Sequence, residues 1–114
     1  MNPKVKMLST NDQKAVDYFS QKTRQILKDM VSDIYLYGSK ANGEDTPESD
    51  MDILLVLKGK VKKLKIIDLL CDLIVDILLE YQVLISVFPT SLQEFHQNQD
   101  RLLFKTVLKE GIRL

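Results

Sequence analysis

Two aspartates one residue apart, Asp50 and Asp52, stand directly before the apolar run Ile53-Leu54-Leu55-Val56-Leu57. Side chains alternate between the faces of a strand, so both carboxylates fall on one face and Met51 points to the other. Oxygens paired in this way suit Mg²⁺, which is held by one or two carboxylates and completes its shell with water and substrate phosphates. Ten residues earlier comes Gly38-Ser39, at the end of the β-branched and aromatic run Ile34-Tyr35-Leu36-Tyr37. Glycine lets a ligand approach the backbone with no side chain in the way. Lys40, Ala41 and Asn42 can form one helical turn beyond it, whose free N–H groups would point at an anion, with the Ser39 hydroxyl as a further donor. Gly38 and Ser39 therefore read as a cradle for a triphosphate, and Lys40 adds a positive charge beside it.

These groups need a sheet to hold them and helices to cover it. Ser9 followed by Asp12 has the form of a capping box and opens a helix through about Asp29, in which Ala15, Val16, Phe19, Thr23, Ile26, Leu27 and Met30 repeat at three and four. A second strand, Ile53 to Leu57, ends at Lys58-Gly59-Lys60. Residues 61–81 form the longest helical candidate, with Lys65, Asp68, Asp72, Asp76 and Glu80 on one polar strip. Its apolar arc, widened by Leu69, Leu73, Val75 and Leu79, spans roughly 240°, where a surface helix needs about 100°. Its lysines crowd the N-terminus and its acids the C-terminus, against the helix dipole, so stability alone does not favour that order. The acidic strip reads either as a plain solvated face that tolerates i,i+4 repulsion or, with the flanking leucines, as a surface for a basic partner. Val83 to Phe88 is a third strand, which Pro89 is expected to stop; Ser91 and Glu94 then form a second capping box. A final helix from Asp100 carries Leu102, Leu103, Thr106, Val107 and Ile112, with Gly111 as its end signal.

The chain has 114 residues, an ordinary length for one domain, and we expect a single unit over residues 1–114. Sixteen Lys+Arg balance sixteen Asp+Glu, so the positive footprint of a protein that grips long nucleic acid is missing and no direct nucleic-acid contact is expected. The one cysteine, Cys71, lies in an apolar run and cannot pair within the chain, which points to a reducing, cytoplasmic setting. No apolar stretch approaches the length of a membrane span. His96 stands in a polar run with no second His or Cys at ligand spacing and reads as a surface residue.

Gly-Ser, ten residues, then Asp-x-Asp at the mouth of an apolar strand resembles the signature of the minimal nucleotidyltransferases, small relatives of the polymerase β palm. The resemblance covers nearly the whole chain. It implies an α/β fold, a small mixed sheet of about three strands packed by helices in the order helix, strand, Gly-Ser turn, strand, helix, strand, helix. It also implies roles: Gly38, Ser39 and Lys40 bind the nucleotide, and Asp50 and Asp52 are the catalytic carboxylates that hold Mg²⁺, with ATP as substrate. The family usually has a third carboxylate on the third strand, and Ser86 falls at that place here. Stand-alone domains of this size look like the antitoxins of HEPN-MNT toxin-antitoxin modules. That likeness implies transfer of AMP to a tyrosine of a HEPN-family ribonuclease toxin, which would be silenced by it. The alternative is a nucleotide-binding module, catalytically weak or inactive, that neutralises its partner by covering it. Transfer to RNA or to a small molecule fits less well, because there is neither an appended substrate domain nor a basic excess.

Overall fold

A computed structural model describes residues 8–38 and 50–114. Helix α1 (Thr10–Leu27) begins where the sequence places it, since the Ser9 hydroxyl accepts a hydrogen bond from the Asp12 backbone N–H at 3.0 Å. A single 3-10 turn, Lys28–Met30, leads into β1 (Val31–Tyr37), which is followed by β2 (Met51–Leu57), α2 (Lys63–Tyr81) and β3 (Ile85–Ser91). Two helices, α3 (Leu92–Gln97) and α4 (Leu102–Glu110), and a short β4 (Ile112–Arg113) complete the described chain.

The sheet runs in the order β3-β2-β1-β4, with β1 antiparallel to both its neighbours and β2 parallel to β3. Helix α2 is the crossover between the two parallel strands, as a parallel pair requires. Both faces of the sheet are covered. Ile34, Leu36, Met51, Ile53, Leu55, Leu57 and Ile85 pack with Phe19 of α1 and with Ile66, Leu70, Leu73 and Ile77 of α2. On the other face Leu54 and Val56 pack with Phe95, Phe104 and Val107 of α3 and α4. This double burial explains why β2 reads as a continuous apolar run rather than an alternating one.

The structure corrects the sequence reading in four places. Among the described residues the sheet has four strands, not about three: Gly111 ends α4 as expected, but Ile112 then belongs to β4, which pairs with Leu36 and fills the edge beside β1. The Asp33–Arg113 ion pair, 2.6 Å, ties that edge down. Pro89 does not stop β3. It pairs opposite Leu55, and because β3 is the outer strand it has a neighbour on one side only, where a residue without an N–H is tolerated. Two helices follow β3 where the expected order has one, because the Ser91 capping box opens a helix of its own, α3, the Ser91 hydroxyl accepting from the Glu94 N–H at 3.0 Å. Last, Ile26 and Met30 are exposed, and Leu73 is buried with only 6% of its surface accessible.

Leu73 thus belongs to the core, while Leu79, six residues on, is 75% exposed. Leu73→Ala should cost about 2–5 kcal/mol in a denaturant melt, as buried leucine truncations do. Leu79→Ala should stay within about 0.5 kcal/mol of wild type. Equal losses would show that α2 presents a different face to the sheet.

Candidate active site

Asp52 is the second residue of β2 and lies in register with Tyr37, the last residue of β1, on one side and with Ser86 of β3 on the other. Residues in register share a face, so Tyr37, Asp52 and Ser86 form one row across the sheet, on the side of Leu54 and Val56. Met51, between the two aspartates, is fully buried in the opposite layer. Its backbone N–H donates to the Leu84 carbonyl at 2.9 Å, which pins the start of β2 against the segment leading into β3. The buried methionine and that hydrogen bond fix the direction of Asp52, as the alternation of the sequence requires. Asp50 stands just before the strand and is exposed.

At this end of the sheet the row is open. Ser86 is exposed, and Asp52 and Tyr37 are half-buried. Partial burial, and then the Asp50 charge, hold the Asp52 carboxyl above its usual 3.8. The Tyr37 hydroxyl is raised from 10.0 by burial and then by Asp52. Both shifts report a site with excess negative charge and too little water, which a cation would relieve. The row also has a close backbone wall. Gly38 has φ +79, and a Cβ built there would sit 2.6 Å from Asp52 Oδ2. Glycine is thus required twice at this position, by its left-handed backbone and by the carboxylate against it.

Of the residues singled out in the sequence, Gly38, Asp50 and Asp52 come together here, and Ser86 lies directly beside Asp52. Ser39 and Lys40, with Glu44, Asp45 and Glu48 of the same loop, lie outside the described residues. The donor set fits one divalent cation held by two carboxylates and completed by phosphate oxygens. Among the described residues no group of three His, Cys, Asp or Glu gathers anywhere. Tyr37 is the member of the row that sequence reading missed. Its signal was present, because the antiparallel pairing of two strands joined through the Gly-Ser turn brings the end of the first to the start of the second, but the register needs the structure to fix it.

The comparisons agree with this geometry. The nucleotidyltransferase domain family matches residues 16–111. Over 101 residues, 89% of this chain and 95% of the relative, the sequence is 34% identical to a Methanocaldococcus jannaschii protein named "Putative protein adenylyltransferase MJ0604". A Sulfolobus solfataricus crystal structure described as "a putative nucleotidyltransferase" has a TM-score of 0.52 at 17% identity, covering 92% of this chain and 86% of that one, a likeness of fold. No helix among the described residues is long and apolar enough to cross a membrane. A mixed sheet with Asp52 at the mouth of its central parallel strand, a family match over most of the chain and a relative aligned along nearly its whole length lead to one assignment: the chain belongs to the nucleotidyltransferase domain family.

Proposed function

We propose that this nucleotidyltransferase is a protein adenylyltransferase that moves AMP from ATP to a tyrosine hydroxyl of a partner protein. The observation that carries this reading is the 34% identity to the adenylyltransferase-named relative along 95% of that protein, together with an Asp52 row open to solvent on one side. Gly38 lets the triphosphate approach the backbone, and Ser39 and Lys40 are the residues whose types suit its oxygens. Asp50 and Asp52 would hold Mg²⁺, which when bound offsets the negative charge of the phosphates. The tyrosine oxygen forms a bond to the α-phosphorus, the bond from that phosphorus to the pyrophosphate oxygen breaks, and the phenolic proton leaves to solvent or to a carboxylate nearby. The open Ser86 side of the row gives an incoming side chain room to reach Asp52.

The motif resemblance supports a finer reading: the partner is a HEPN-family toxin, and this chain is the antitoxin that silences it by modification. The test is incubation with α-labelled ATP, Mg²⁺ and the protein encoded beside it. Label on that protein, lost on phosphodiesterase treatment, is the expected result; a silenced but unlabelled partner would replace modification with neutralisation by binding.

Ser86 favours that second reading, a weak or inactive nucleotide-binding module. A neutral hydroxyl at the position in register with Asp52 brings no charge to the site, and the described residues contribute only two carboxylates. Ser86→Asp should therefore speed AMP transfer by about tenfold, since a third anion would help bind a second cation against the incoming oxygen. The check is a time course of AMP incorporation at saturating ATP and Mg²⁺, with circular dichroism to confirm folding. A folded variant no faster than wild type would mean that the reaction needs no anion there.

A further inference from the structure

Among the described residues, five of the ten exposed large apolar side chains lie on α2: Leu64, Leu69, Val75, Leu78 and Leu79. Ile66, Leu70, Leu73 and Ile77 face the sheet, while Leu64, Val75 and Leu79 are 83%, 45% and 75% exposed. At 100° per residue these three fall within an arc of about 60° on the outer side, and Asp68, Asp72 and Asp76 lie among and beside them within about 120° of helix surface. All three aspartates are exposed, and no ion pair engages them among the described residues. A face that alternates leucine with carboxylate fits an amphipathic helix that alternates leucine with lysine or arginine.

A second copy of the chain is a poor occupant. An antiparallel pairing of two such helices about a two-fold axis sets Asp72 against its own counterpart and Asp68 against Asp76 of the other copy, with Lys65 offsetting only Glu80. A parallel pairing stacks every acid on its equal. Like charges held opposite one another oppose association. The size of the face points the same way. Nineteen residues make a helix about 28 Å long and about 10 Å wide, well below the roughly 800 Å² per partner of a stable interface. Docking here is transient, as suits a substrate. The negative row also repels nucleic acid and anionic bilayers.

The face leads to the reacting end of the sheet. Helix α2 ends at Tyr81, and Leu84, three residues later and 43% exposed, accepts the hydrogen bond from the Met51 N–H between the two aspartates. A ligand helix seated on the outer face of α2 therefore has one end at that rim of the sheet, on the face opposite the Asp52 row. We infer that the outer face of α2 is the docking surface for a basic amphipathic helix of the protein substrate, a holding site set apart from the Asp52 row by the sheet. This rests on the reading of a protein substrate given above.

The probe is a fluorescent 18-residue helical peptide of Leu and Lys without tyrosine, titrated into the full chain by anisotropy without ATP, with its Leu/Glu counterpart as control. The Leu/Lys peptide should bind at one site and weaken as salt rises, and the Leu/Glu peptide should not bind. Leu79→Glu and Asp76→Lys should each weaken binding at least tenfold with unchanged melting temperatures, since both positions are exposed. Asp52→Asn should bind the peptide as wild type does, so docking is read separately from transfer. If binding is absent, is equal in the α2 variants, or is shared by the Leu/Glu peptide, the docking inference fails, even where wild type labels a protein with AMP. If the peptide binds as described and no protein is ever labelled, the adenylyltransferase reading fails instead. A stable dimer in sedimentation that Leu79→Glu dissociates would give the face to a second copy and overturn the inference.

Discussion

Asp52→Asn should lower AMP transfer by roughly a thousandfold, about 4 kcal/mol of barrier, and leave the protein at least as stable as wild type. The loss follows from the position of Asp52 between Tyr37 and Ser86, against a glycine wall, with Asp50 as the other anion at that mouth. Asparagine keeps the shape and removes the charge that a cation and its phosphates need. The measurement is the rate of labelled AMP incorporation at saturating ATP over a range of Mg²⁺. Transfer within tenfold of wild type would take the catalytic role away from Asp52.

The stability half of that result has a definite sign. Burial and then Asp50 raise the Asp52 carboxyl above 3.8, so the folded protein binds this proton more tightly than the unfolded chain does. A carboxyl raised in this way contributes stability that is fully present below its unfolded pKa and is lost as pH rises through its folded pKa. At pH 7 the ionised Asp52 is therefore a cost to the metal-free fold. In buffer with chelator, Asp52→Asn should melt at the wild-type temperature or above it at neutral pH, and the difference should shrink to nothing as pH falls below 3.8. Added Mg²⁺ with nucleotide should raise the melting temperature of wild type and not that of the variant, because a ligand that binds only the folded state stabilises it by mass action. A variant that melts lower at pH 7 would mean that Asp52 is a structural anchor.

Much of this site was legible before any coordinates. Alternation alone put Asp50 and Asp52 on one side of Met51, because one buried methionine among apolar neighbours fixes the phase of a whole strand. Ser86, which the family resemblance puts at the place of a third carboxylate, stands in register with Asp52. What local pattern did not carry was pairing at a distance. Tyr37 becomes a neighbour of Asp52 only through the antiparallel ladder, and Ile112 becomes a strand only because β1 offers it a free edge. Pro89 was misread because its effect depends on whether a strand lies at the edge of the sheet, which its own segment does not reveal. Leu73 went the same way: a helix with apolar residues over two thirds of its surface does not say which third meets the sheet.

Gly38→Ala tests the backbone side of the site, and Gly59→Ala is its internal control. Both glycines have left-handed backbones, φ +79 and φ +77, so alanine strains either one by about 1–2 kcal/mol. They differ in what the new methyl group meets. At Gly59 nothing lies within 4 Å, whereas at Gly38 the Cβ would sit 2.6 Å from Asp52 Oδ2. Since ordinary contact begins at about 3.4 Å, the Asp52 carboxylate must give way by close to 1 Å, and a displacement of that size at a reacting centre costs about a hundredfold in rate. Both variants should lose similar stability in a denaturant melt. Only Gly38→Ala should lose transfer, by about a hundredfold, with weaker ATP binding where the methyl group also fills the space left for phosphate. If Gly38→Ala and Gly59→Ala transfer AMP equally well, the phosphate path does not run past Gly38 and the triphosphate must approach Asp52 from another side.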